Sequence, residues 1–128
     1  FFYYLLGEDF IEKSVNDWLS LNQFELNNKI VKYLLPNNLT VVLTSCPNFI
    51  ARPFIVFFLD NKIQHLFSTK ILRINGRFHF IVLDKVSGKR KQRIVEKFIN
   101  GRELYTVGFG DSPSDSYFLD ICTEKYLI

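Results

Sequence analysis

The stretch Phe109-Gly110-Asp111-Ser112-Pro113-Ser114-Asp115 decides how this chain is read. Ahead of it, Glu103 to Gly108 reads as a strand, and behind it a helix is expected from Ser116 to Thr123. Asp111 therefore lies just past the C-terminal end of a strand, where open α/β sheets place their ligands, and Asp115 stands at the start of the next helix. Two carboxylates converge there, and oxygen donors of this kind suit Mg²⁺, which is typically held by one or two carboxylates together with substrate phosphate. Asp111 and Asp115 are accordingly the expected metal ligands. A plainer reading competes, in which Asp111, Ser112 or Ser114 simply caps the helix.

Upstream of the turn, Gly88-Lys89-Arg90-Lys91 opens a basic amphipathic helix whose apolar face is Ile94, Val95, Phe98 and Ile99, and Asn100-Gly101 ends it. An anion near that opening would meet backbone N–H groups, the positive end of the helix dipole and a lysine ammonium together. The alternative is a solvated basic face. Further upstream, Leu39 to Leu43 reads as a strand buried on both faces, and Thr44-Ser45-Cys46-Pro47 follows it. The hydroxyls of Thr44 and Ser45 and the exposed amides at that strand end could hold a phosphoryl oxygen, or the segment is an ordinary turn. Cys46 is a poor nucleophile candidate, because only His65 and His79 are available as bases and neither lies in a protease-like context.

The rest of the chain alternates helices with strands. Phe10, Ile11, Val15, Trp18 and Leu19 recur at helical spacing between Gly7 and Leu21, and Leu26, Ile30, Val31, Leu34 and Leu35 extend a second helical pattern that Pro36-Asn37-Asn38 stops. Asn48 to Phe58 reads as a helix with Pro53 in its first turn or at a kink. His65 to Ser68 is a short strand, Ile71–Ile74 and Arg77–Leu83 form a hairpin around Asn75-Gly76, and Tyr126 to Ile128 opens a last strand. Helices alternating with buried strands indicate an α/β fold, a Rossmann-like open parallel sheet flanked by helices with a β-hairpin insertion.

Bulk properties agree with one globular domain. The 128 residues are 48% hydrophobic, enough to bury a core. The net charge of +3 is concentrated in Lys89, Arg90, Lys91 and Arg93, so the basicity is local. No helix-turn-helix, zinc-finger or RNA-recognition signature accompanies it, and no nucleic-acid partner is expected. With two cysteines outside any CxxC pair, a reducing compartment is expected, and the apolar run Phe1 to Leu6 is far short of the roughly 20 residues of a membrane span. The expected location is cytoplasmic.

In order, a hydroxyl after a strand, a lysine on a later helix and a G-D-S-x-x-D turn after another strand resemble the haloacid dehalogenase-like superfamily, in the flavour of its phosphoserine-phosphatase-like branch. The resemblance runs from about Gly7 to the end and rests on Thr44-Ser45-Cys46-Pro47, the G-x-x-K pattern of Gly88 to Lys91, and Gly110 to Asp115. It implies a Mg²⁺-dependent phosphomonoester phosphatase. Lys91 and Thr44 would be catalytic, Thr44, Ser45 and Lys91 would bind the small phosphorylated substrate, and Asp111 and Asp115 would serve the metal. The superfamily's D-x-D-x-T motif, which carries the nucleophilic aspartate, occurs nowhere in the 128 residues, and the chain also lacks Met. The expectation is a single core domain, 1–128, truncated at its N-terminus, with residues 1–35 as the helical segment joining a cap to the core. A non-catalytic relative that binds a phosphorylated ligand or a protein partner is the alternative.

Overall fold

A computed structural model of the chain describes residues 8–21, 27–35, 38–59 and 62–128. The opening run Phe1 to Leu6, Leu26 and the stop signal Pro36-Asn37 lie outside them. The chain divides into two compact units, Phe1–Lys85 and Val86–Ile128.

In the first unit, helix α1 (Glu8–Leu21) follows the expected periodicity. Ile11 and Leu19 are buried and Val15 packs beside them, whereas Phe10 and Trp18, read from sequence as part of the same face, are exposed. The expected second helix shrinks to one turn, α2 (Asn28–Val31), started by the Asn27 side chain, which accepts from the Lys29 amide at 2.9 Å. Tight turns then satisfy the spacing that Leu34 and Leu35 seemed to owe to a helix: Tyr33 N bonds Ile30 O, Leu34 N bonds Val31 O, and the Asn38 side-chain Nδ2 donates to the Tyr33 carbonyl. A three- and four-residue pattern of apolar residues fits successive turns as well as it fits a helix.

Strand β1 (Val41–Pro47) begins two residues later than expected and carries Thr44-Ser45-Cys46-Pro47 within it. It is half-buried rather than buried on both faces, with Ser45 exposed. Helix α3 (Asn48–Leu59) follows without a gap. Pro53 is its sixth residue, not in the first turn, and is buried. α1 packs on α3, and Ile11 with Phe49 forms a buried cluster joined by Val15, Ile50 and Ile71.

The expected short strand and the first arm of the hairpin are one element, β2 (His65–Ile74). Its first half pairs parallel with β1, Val41 against His65 through Thr44 against Ser68. Its second half, from Lys70, pairs antiparallel with β3 (Arg77–Asp84), with register shifts between Lys70 and Ile71 and between Ile71 and Arg73. The hairpin reading holds: Asn75 (φ 52°) and Gly76 (φ 74°) both take the left-handed conformation that a two-residue turn of this kind requires.

In the second unit, helix α4 (Lys89–Ile99) begins after Gly88 and ends at Asn100 and Gly101, both with positive φ. Strand β4 (Val107–Gly110) lies further along than the expected Glu103 to Gly108, a 3₁₀ turn covers Pro113–Asp115, helix α5 (Ser116–Leu119) is a single turn, and β5 (Glu124–Leu127) pairs parallel with β4. Thr106 and Thr123 explain both shifts. Each backbone N–H donates to the other's side-chain hydroxyl, at 3.0 and 2.9 Å, and this clasp pulls the chain out of α5 and into β5. The sheet pairing β1–β2 and β4–β5 is parallel, with helices before and after the strands, which is the α/β class expected from sequence.

Leu19 is fully buried. Leu19→Ala should lower the unfolding free energy by about 2–5 kcal/mol, read as a shift in urea midpoint at unchanged slope. A variant within about 0.5 kcal/mol of wild type would contradict the burial of α1.

Candidate functional site

The acidic turn is built around the Asp115 carboxylate, which is 2% exposed. A charge so placed has to be met by protein groups. Lys91 Nζ lies 2.7 Å from Asp115 Oδ1, and the Asp111 amide donates to Oδ2 at 3.0 Å, with the Ser112 amide further off at 3.4 Å. Burial alone would raise the Asp115 carboxyl. The hydrogen bond from Lys91, the Asp111 amide, the lysine charge and the Ser112 amide outweigh it, so the group sits below its ordinary value.

Glycine makes this geometry possible. A Cβ on Gly110 would stand 2.7 Å from Asp115 Cβ and 3.0 Å from its Oδ2, and one on Gly108 would stand 2.7 Å from Cys122 Sγ and 2.9 Å from Leu119 Cδ2. Val107-Gly108-Phe109-Gly110 thus presents a bare side to the turn and to α5, while Phe109 stacks on Tyr126 of β5 with centroids 5.2 Å apart. The sequence reading assigned these glycines no role. The alternation of Gly with Val and Phe is the signal that was available, since glycine inside a strand marks close approach.

The basic run is not uniformly solvated. Lys91 is directed to Asp115 with its side chain 12% exposed, and Lys89 lies over the Tyr117 ring at 5.9 Å. Arg93 and Lys97 face solvent. Lys91, Asp111 and Asp115, expected from sequence to act together, are therefore gathered in the second unit, although the two aspartates differ. Asp115 has both oxygens engaged, whereas Asp111 is exposed.

Thr44 and Ser45 belong to the first unit. Thr44 is the last residue of β1 to keep regular register with β2, facing Ser68; Pro47 resumes it facing Thr69, so Ser45 and Cys46 bulge out between them. Thr44 Oγ1 accepts from the Cys46 amide at 3.1 Å, which leaves its own proton free to be donated. Cys46 and Cys122 are free thiols, and burial raises both above the ordinary thiol value, against a weaker opposing hydrogen bond from Thr106 at Cys122. Neither is activated as a nucleophile.

Mg²⁺ suits the oxygen donors of the turn by type, Asp111 being the exposed carboxylate. Among the described residues no group of three His, Cys, Asp or Glu side chains gathers as a metal cage. Among them, too, no helix is long and apolar enough to cross a membrane.

No family model and no curated protein matches the sequence. Solved structures do match. A probable phosphoserine phosphatase from Vibrio cholerae, in unliganded form, aligns with a TM-score of 0.56 at 13% identity over 68% of this chain and 27% of its own. A HAD family hydrolase from Salmonella enterica serovar Typhi gives 0.53 at 11% identity over 66% of this chain and 29% of its own. A protein of unknown function from Bordetella pertussis Tohama I gives 0.62 at 20% identity over 78% of this chain and 47% of its own. Over about two thirds to three quarters of its length the chain shares the α/β fold of these structures, and it spans about a quarter to a half of their own length.

Asp115→Asn keeps the shape of the turn and removes its charge. Because the folded carboxyl lies below its ordinary value of 3.8, its contribution is complete above that value and fades as pH falls through the lower one. Wild type should exceed the variant by about 1.5–3 kcal/mol near neutral pH, and the gap should close below about pH 4 in paired urea titrations. A gap constant down to about pH 2 would refute the ion pair. Gly110→Ala should destabilise by about 1–3 kcal/mol through overpacking against Asp115.

Proposed function

We propose that the chain is part of a Mg²⁺-dependent phosphohydrolase of haloacid dehalogenase type, acting on a small phosphomonoester. The observation that carries this reading is the joining of Lys91 to Asp115 at 2.7 Å while the same carboxylate holds the Asp111 amide. A helix, a strand end and a turn are thereby locked so that a cation and an exposed carboxylate share one locality. Asp111 would hold the metal, and Asp115 would orient the turn and the lysine rather than ligate directly. Lys91 would place positive charge beside a phosphoryl group, and in the first unit the Thr44 hydroxyl would be able to donate its proton to an anion. Bound Mg²⁺ would neutralise charge on the phosphate.

Carboxylate nucleophiles in such hydrolases form an aspartyl-phosphate that water then cleaves. No D-x-D string occurs in the 128 residues, so the nucleophile would come from outside them. That same absence favours a second reading for these residues alone, a non-catalytic domain that binds a phosphorylated ligand or a protein partner.

The 128-residue chain should show no Mg²⁺-dependent hydrolysis of an aryl phosphate; turnover would mean that another residue supplies the nucleophile. In a protein that joins this chain to a D-x-D-x-T segment, Asp111→Asn and Lys91→Ala should each lower kcat by about two to three orders of magnitude, as loss of an electrostatic stabiliser does. Normal turnover by Asp111→Asn would overturn the assignment.

A further inference from the structure

The bulge in β1 has a brace that the proposed chemistry has not yet used. Thr44 and Pro47 face the adjacent residues Ser68 and Thr69, so two residues, Ser45 and Cys46, are looped out of β1 with nothing opposite them in β2. A loop of this size at a strand end would sample several conformations unless something fixed its base. Asn48, the first residue of α3, supplies the fixing: its Nδ2 donates to Ser68 Oγ at 3.1 Å. This bond runs from the residue after Pro47, where the register resumes, to the residue facing Thr44, where the bulge starts. Ser68 is 7% exposed and Thr69 5%, so the hydroxyls stand in a buried setting where an unmade hydrogen bond is costly and a made one is persistent.

We infer that Asn48 and Ser68 are positioning residues for an anion-holding turn at Thr44 to Pro47, acting through the bulge rather than touching the phosphate. The inference rests on the proposed role of Thr44. With the brace in place, the Thr44 hydroxyl is held by the Cys46 amide with its proton directed elsewhere, and Ser45 stays exposed to an incoming phosphoryl oxygen. With the brace broken, β1 and α3 remain, but the bulge loses its fixed base. Asn48 is itself exposed, so its replacement leaves the packing of α3 intact.

The test uses the 128-residue chain and inorganic phosphate as the probe, with backbone amide shifts of Ser45 and Cys46 followed by NMR. The expected result is saturable shifts in the wild type and affinities about five- to tenfold weaker in Asn48→Ala and Ser68→Ala, the size of one lost hydrogen bond. Ser68→Thr, which keeps the hydroxyl, should restore wild-type affinity, a rescue that a merely structural loss at this position would not show. Equal affinity in wild type and Asn48→Ala overturns the positioning role while leaving Thr44 as an anion ligand. No shift at Ser45 or Cys46 in the wild type removes Thr44 from the proposed site, and the inference falls with it. Should Ser68→Ala unfold, Asn48→Ala alone decides.

Discussion

A buried carboxylate has to be neutralised where it lies, and the second unit is arranged so that Asp115 is. Its ammonium partner comes from α4, its amide donor from the end of β4, and the space for it from the missing side chain of Gly110. Taking away the ammonium would leave a charge in low dielectric short of its main partner, which proteins tolerate poorly. The ion pair therefore ties the basic helix to the strand end, and the positions of Lys91 and Asp111 follow from it.

The second constraint is the bulge of β1. Parallel pairing with β2 fixes Thr44 in the strand, and the two-residue excess that follows lifts Ser45 and Cys46 out of the ladder before Asn48 opens α3. The α/β fold is shared with solved structures of low identity, so the fold does not by itself fix a reaction. Function has to be argued from the turn, the lysine and the bulge.

Much of this was legible in the sequence because it depends on local chemistry. Asn75-Gly76 and Asn100-Gly101 are positions where φ must be positive, and they mark the hairpin and the end of α4 where expected. Ile11, Val15 and Leu19 gave α1. The misplacements have tertiary causes. Gly108 looked like the end of a strand, whereas it is the point of contact with Cys122 and Leu119 that lets the strand continue. The helix expected to Thr123 is cut short by a clasp to Thr106, 17 residues away in sequence, which no periodicity within the segment reveals. As residue types Asp111 and Asp115 read alike, and only the fold separates the exposed one from the one already bonded.

The engaged state of Asp115 also bears on the thermodynamics of recognition. Ordering a loop takes about 1–2 kcal/mol of backbone entropy per residue, and a flexible acidic turn would draw that from the ligand's own interaction energy. Here the turn closes on Lys91 and on its own amides, bonds that the chain makes with itself as it folds. A cation or phosphate bound as proposed would meet a turn already held by these bonds, and selection at Gly110 to Asp115 would rest on charge and size.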